Sequence, residues 1–432
     1  EGAGKGARRG PGSDHDSAST SSGGGSQDGG HVLSRKRVSS SNFSTVSNAA
    51  SDPDNHPFPF PAAHKKGGKG ATGKHPNEGD DEGAAAASQK SCTVESLLVE
   101  LEDPKVACKE GAVVKLCRLL GSKVLLPQTL EAGPKRLGDA LCLAIKKGKG
   151  NEASSAARAY TLTAVTLGGA GGDFVWDDKD ALFLQLKTHT CEAVRVKVAE
   201  AIALGLASCR VSDADTAGVM ARFAKCFGGQ GEGGEAEEEQ VCADVVRACV
   251  DAWALLATFV PDKILLSRKM LTISAAPLVE LLSHEHLEVR LAAGQALGVL
   301  YEARWRRLRE DLVADASAAE AEEEAASLDM LQPPMPGVDD DNVLFSVGRL
   351  ATENPKHAGK AERERQWHLF RDLASCVERG GALPKEKLRF GGRTIFVATW
   401  AERRRVGAYR GALQCGFQAH VQGNDLLREL IL

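Results

Sequence analysis

The chain of 432 residues is 42% hydrophobic but only 5% aromatic, contains 46 glycines and has a formal net charge of −4. No run approaches the roughly 18 consecutive apolar residues of a membrane-spanning helix, which excludes that class. The 11 cysteines are scattered from Cys92 to Cys415 without a C-x-x-C pair, which argues against a disulfide framework and for a reducing compartment.

Residues 1–90 are rich in Gly, Ser, Ala, Asn and Pro and lack periodic hydrophobicity, so they cannot bury enough apolar surface to offset chain entropy. A disordered tail is expected. With Glu rather than Met at position 1 the chain reads as a fragment, and targeting is left open. Arg35-Lys36-Arg37 and a second basic patch at Lys65, Lys66, Lys69 and Lys74 could serve a nuclear importer or a polyanion, with a solvated tail as the plainer reading.

From Thr93 onward apolar residues recur three or four apart, the spacing of amphipathic helices. Segments 104–120, 151–167, 191–207 and 285–301 read alike, and 241–259 is a less regular copy. Val194-Arg195 aligns with Val289-Arg290, 95 residues on, and Arg247 falls between at spacings of 52 and 43. A period of about 40–47 residues is that of HEAT or armadillo arrays, where each helix pair hides its apolar face by stacking on its neighbours. Alternating Ala and Leu over 291–297 lets such helices approach closely.

Residues 228–240 and the acidic loop 313–342 offer no apolar stripe and are expected to interrupt the array as solvated loops. Residues 310–342 hold 11 acids and no base, whereas 343–432 hold 16 Lys and Arg against 9 Asp and Glu. In that basic end, the pattern predicts a helix over 358–378 with Trp367, Phe370, Leu373 and Val377 on one face. A β-hairpin follows about Gly391-Gly392, then helices over 402–421 and 425–430. The predicted fold is therefore mainly α. It comprises a disordered tail (1–90), an armadillo/HEAT-like α-solenoid (91–353, with acidic loop 313–342) and a small α+β C-terminal module (354–432).

The chemistry-bearing patterns are weak. Residues 68–75 nearly spell a phosphate-binding loop, but His75 stands where Ser or Thr would hold magnesium, and neither strand nor helix flanks it. The glycine run 168–172 follows a helix rather than a strand, which suits a repeat connector and not a dinucleotide site. His284-Glu285-His286 lacks a third ligand at useful spacing and reads as a loop before a helix. Arg195, Arg247 and Arg290 open successive helices and could form a basic ladder, although bonds to neighbouring acids and loop carbonyls are the commoner use.

The better candidates lie in the basic end. Arg403, Arg404 and Arg405 begin a helix, where cations oppose the macrodipole and so suggest another use, phosphate binding being one. Lys385, Lys387 and Arg389 lie on or before the strand leading to it. These six, taken as surface positions, form the candidate RNA- or partner-binding set, with solubility of an exposed helix as the plain alternative. No catalytic, cofactor-binding or metal-binding residue is nominated.

Several stretches resemble the interferon-related developmental regulator family. They are Lys146-Lys147-Gly148-Lys149, Val289-Arg290-Leu291-Ala292-Ala293-Gly294, and Leu350-Ala351-Thr352 followed by Lys356-His357. Near the C-terminus they are Phe370-Arg371-Asp372, Lys387-Leu388-Arg389-Phe390-Gly391, Trp400, and Gly416-Phe417-Gln418-Ala419-His420 followed by Asn424. The likeness covers about 91–432. The chain lacks the acidic run that precedes the first repeat in animal members, and its inserts at 228–240 and 313–342 are longer than usual.

The resemblance implies an armadillo-like fold, no catalytic activity and no cofactor, and a role in gene expression, with members described as transcriptional co-regulators and as factors binding translationally inactive ribosomes. The expected function is a non-enzymatic scaffold that binds ribosomes or structured RNA and restrains translation. Protein partners would bind in the repeat groove; no membrane or small-molecule substrate is expected. The alternatives are a nuclear co-regulator acting through protein contacts and, third, an enzyme with an unrecognised site. Localisation is expected to be cytoplasmic, with the nucleus as a second site.

Overall fold

The computed structural model describes residues 92–104, 109–171, 174–228, 242–315, 335–353 and 358–431. The tail with its basic patches and near-phosphate loop, the insert over 229–241 and the acidic stretch 316–334 lie outside the described residues.

Helices come in successive pairs. They are α1 (Val94–Glu102) with α2 (Glu110–Ser122), α4 (Pro134–Lys147) with α5 (Asn151–Leu167), α6 (Phe174–Thr188) with α7 (Glu192–Cys209), and α8 (Asp213–Phe227) with α9 (Ala243–Ala257). Two more pairs follow, α11 (Arg268–Glu280) with α12 (Leu287–Asp315), and α13 (Asp340–Thr352) with α14 (Lys360–Arg379). Short helices α3 (Leu126–Glu131) and α10 (Asp262–Leu265) fill connections. The second helices stack in unbroken series, α2 on α5, α7, α9, α12 and α14, and form an inner layer. Among the first helices α1, α4 and α6 stack in turn, as α8 does on α11.

The expected repeat array is thus present, and it runs further than the sequence reading placed it. Helix 360–379, assigned to the C-terminal module from sequence, packs on α12 and α13 as the last inner helix. The acidic loop is also shorter than expected. Helix α12 extends to Asp315, Met335 is buried, and Asp340 and Asp341 occupy the first turn of α13, where carboxylates complement the helix dipole. Asp340 further binds the nearly buried Arg304 of α12 at 2.9 Å and accepts the Tyr301 hydroxyl at 2.7 Å, which fixes α13 to α12.

Small residues explain the close stacking. Helix α5 is buried along one face at Ala153, Ala156 and Ala157, and then on all sides from Ala159 to Leu167. Between α4, α5 and α6 the buried Asp178 carboxylate accepts from Lys135 at 2.9 Å and Tyr160 at 3.0 Å, so its charge is compensated rather than stranded.

Beyond α14, which Gly380 caps in the left-handed conformation, comes the hairpin of β1 (Glu386–Phe390) and β2 (Arg393–Val397). Gly391 and Gly392 both have positive φ, as a two-residue hairpin turn requires. Then follow α15 (Trp400–Leu413), α16 (Phe417–Gly423) and α17 (Asp425–Ile431). The single helix expected over 402–421 is broken at Gln414, whose φ is positive, because Gly416 there packs directly on the backbone of Gly121.

These C-terminal elements lie on the inner layer. Helix α15 packs on α5, α9 and α12, and α16 on α2. The segment runs along the C-terminal ends of the inner helices. His420 Nε2 lies 2.8 Å from the Leu120 carbonyl, Arg158 donates to Gln414 at 2.7 Å, the Ser208 and Tyr409 hydroxyls are 3.2 Å apart, and Arg210 pairs with Glu429 at 2.8 Å. Trp400 fills the notch left by Gly298 on α12.

Candidate RNA-binding and partner-binding surface

The hairpin has two faces. Its register pairs Lys387 with Phe396, Leu388 with Ile395 and Arg389 with Thr394. Alternation turns Leu388, Phe390 and Val397 inward, where they are buried, and leaves Lys387, Arg389, Thr394 and Phe396 exposed together. Lys385 is exposed just before β1. Glu386, on the inward side, pairs with Arg410 at 3.4 Å, and Arg410 also covers the Phe417 ring. Three of the six candidate cations therefore share one solvent-facing surface, beside an aromatic residue the sequence reading did not single out.

The arginine triplet is placed differently. Expected at the surface, it is instead turned onto the chain's own repeats. Arg403 donates to the Pro384 carbonyl at 3.1 Å and faces Asp372 at 3.9 Å. Arg404, only 15% exposed, binds Asp251 of α9 at 2.8 Å. Arg405 donates to the Thr258 hydroxyl at 3.0 Å and to its carbonyl, and lies over the Phe259 ring. Thr258 caps the C-terminus of α9, where carbonyls carry the negative end of the dipole. Arg405, a cation that opposes the dipole of its own helix, thus serves the end of another.

The same helix start carries a second contact. Besides the box formed by Thr399 and Glu402, the α15 N-terminus is met by Glu302 of α12, which accepts the Ala401 amide at 3.1 Å. Burial raises the Glu302 carboxyl above its ordinary value, against the opposing effect of that amide. A raised carboxyl pKa means the folded state binds the extra proton, so stability is lost as pH rises from the ordinary carboxylate value through the raised one. Glu302→Gln keeps the acceptor and removes this dependence. Wild type should therefore lose melting temperature relative to the variant as pH rises through that interval; a difference independent of pH would contradict the assignment.

Arg195, Arg247 and Arg290 take the structural role. Arg195 donates to the Leu186 carbonyl at 2.8 Å, Arg247 to Asp251 at 3.1 Å, and Arg290 to the carbonyls of His284 and Glu285 at 3.0 Å. His284 Nδ1 accepts the His286 amide at 3.1 Å, as a turn before a helix. Among the described residues no cluster of three or more His, Cys, Asp or Glu is placed to hold a metal. At the N-termini of the inner helices Glu192, Asp244, Glu285, Glu288 and Glu362 are among the residues lining a cleft of about 700 Å³. No described helix is long and apolar enough to cross a membrane.

A stack of helix pairs strapped by its own C-terminal segment, with a basic hairpin face turned outward, defines a helical-repeat scaffold. The chain belongs to the interferon-related developmental regulator family, whose sequence model matches residues 68–378. Interferon-related developmental regulator 2 of Mus musculus is 30% identical over 338 residues, covering 76% of this chain and 70% of the relative. Interferon-related developmental regulator 1 of the same organism is 24% identical over 336 residues, covering 76% and 68%. A designed armadillo repeat protein covers 65% of this chain and 99% of its own at 13% identity, with a TM-score of 0.36. The family and the repeat fold together support a regulatory scaffold.

Proposed function

We propose that the protein is a non-enzymatic regulator of gene expression that binds ribosomes through structured RNA and restrains translation, and that Lys385, Lys387 and Arg389 make the electrostatic contact. The carrying observation is the outward hairpin face, where these cations are held on a rigid frame because the rest of the segment is bonded to the repeats. Cations preorganised in this way suit a phosphate backbone. Arg403, Arg404 and Arg405 support the contact by fixing the segment to the repeats, which their hydrogen bonds and ion pairs do.

The second reading is a co-regulator that works through protein contacts. Two exposed aromatics favour it, Phe345 on α13, 73% exposed, and Trp367 on α14, with the Arg371 guanidinium over the indole. Against it, the chain's own C-terminal segment already covers part of the inner layer that a partner would use. Sedimentation of tagged full-length protein through a sucrose gradient separates the two. Co-migration with ribosomes that disappears after ribonuclease, and in the Lys385→Ala/Lys387→Ala/Arg389→Ala variant, is the expected result. Protein that stays at the top of the gradient in every condition would overturn the ribosome reading.

A further inference from the structure

We infer that the solvent face of the hairpin is a stacking platform for unpaired nucleotides, with Phe396 taking a base and Lys385 and Lys387 the adjoining phosphates. The inference rests on the RNA-binding reading above and names the form of RNA. Phe396 is 55% exposed at mid-strand, although the buried underside of the same two strands supplies the hairpin's attachment. The exposed ring takes no part in that packing, and what sets it apart from a lone surface hydrophobe is its position among the cations of the same face. Lys387 is its direct cross-strand partner, so the two Cβ atoms lie about 4.5–5.5 Å apart and both side chains leave the same face. Arg389 and Thr394 form the neighbouring pair on the same face.

Aromatic rings flanked by cations match a polyanion that also offers flat π-faces. Single-stranded RNA has both, whereas in a duplex each base face is already covered by its neighbours. Stacking requires no base-edge hydrogen bond, because every base offers a π-face. The platform is therefore expected to be tolerant of sequence.

The test uses the full chain and fluorescence anisotropy with two probes, a short labelled single-stranded RNA and a blunt duplex of equal length, alongside ribosome sedimentation. Wild type should prefer the single strand. Phe396→Ala should weaken single-strand binding on the order of tenfold, with duplex binding and salt dependence unchanged, while Phe396→Trp retains affinity. Equal single-strand affinity of wild type and Phe396→Ala, or a loss shared equally by the duplex, would overturn stacking. In either case a salt-dependent loss in the Lys385→Ala/Lys387→Ala variant would leave the RNA-binding reading standing. If Phe396→Ala lowers ribosome co-sedimentation but not RNA affinity, the ring seats a protein and the inference fails. Absence of binding to both probes and to ribosomes would remove the inference and the underlying reading together.

Discussion

Gly298→Val is expected to release the C-terminal segment while the helix pairs stay folded. A Cβ at position 298 would overlap the Trp400 indole, and valine adds two methyl groups in the same direction. Trp400 is buried at the start of α15, so its displacement forfeits packing of the size lost when a large aromatic is truncated, about 3–5 kcal/mol. Nothing local can absorb the overlap, because Glu302 and the Thr399–Glu402 box fix that helix start. Undocking would also uncover the apolar ends of α5, α7 and α9. Limited proteolysis should then cut after Gly380, where wild type resists. Gly407→Ala and Gly411→Ala are the controls, since a Cβ at either meets nothing within 4 Å. They should melt at or slightly above wild type, helical alanine being favoured over glycine. If Gly298→Val shows the wild-type cleavage pattern and melting temperature, the segment does not dock as described.

Ala293→Asp should be as damaging, and by a different route. Ala293 is fully buried in the inner helix α12, which is itself stacked between α9 and α14. A carboxylate there has no partner to offset its desolvation, so the site must either stay protonated or expel the side chain. Losses of at least about 4 kcal/mol belong to this mechanism. In a stacked array the defect is felt chiefly by neighbouring pairs. Hydrogen exchange should therefore accelerate over α9, α12 and α14 more than over α1 to α4. A variant that melts like wild type would mean that α12 presents another face to the stack.

Much of this architecture is readable in the residues. The repeat period and the two-glycine turn are local signals, and each appears where the pattern places it. The arginine triplet shows the limit. Three adjacent cations at a helix start have no local carboxylate pattern, and their partners Asp372, Asp251 and Thr258 lie far away in the chain. Residues 159–167 and 201–208 are buried all round their helices, where the C-terminal segment adds to the cover given by the stacked neighbours. On α14 the expected Phe370, Leu373 and Val377 are buried, whereas Trp367 turns outward and Gln366 takes the inward place, donating to the Leu350 carbonyl at 2.9 Å. Phe396 was missed because a lone aromatic in a strand ordinarily reads as core.

The outward cations of the hairpin, and not the arginine triplet, are expected to carry the electrostatic contact with RNA. The most direct test is ribosome binding of full-length protein across a range of salt concentrations. Each phosphate contact releases counterions and contributes about 0.7–0.9 to the slope of log affinity against log salt. Lys385→Ala/Lys387→Ala/Arg389→Ala should reduce that slope by about 2 to 3 with the helix pairs still folded. An unchanged slope and affinity in this variant would contradict the account.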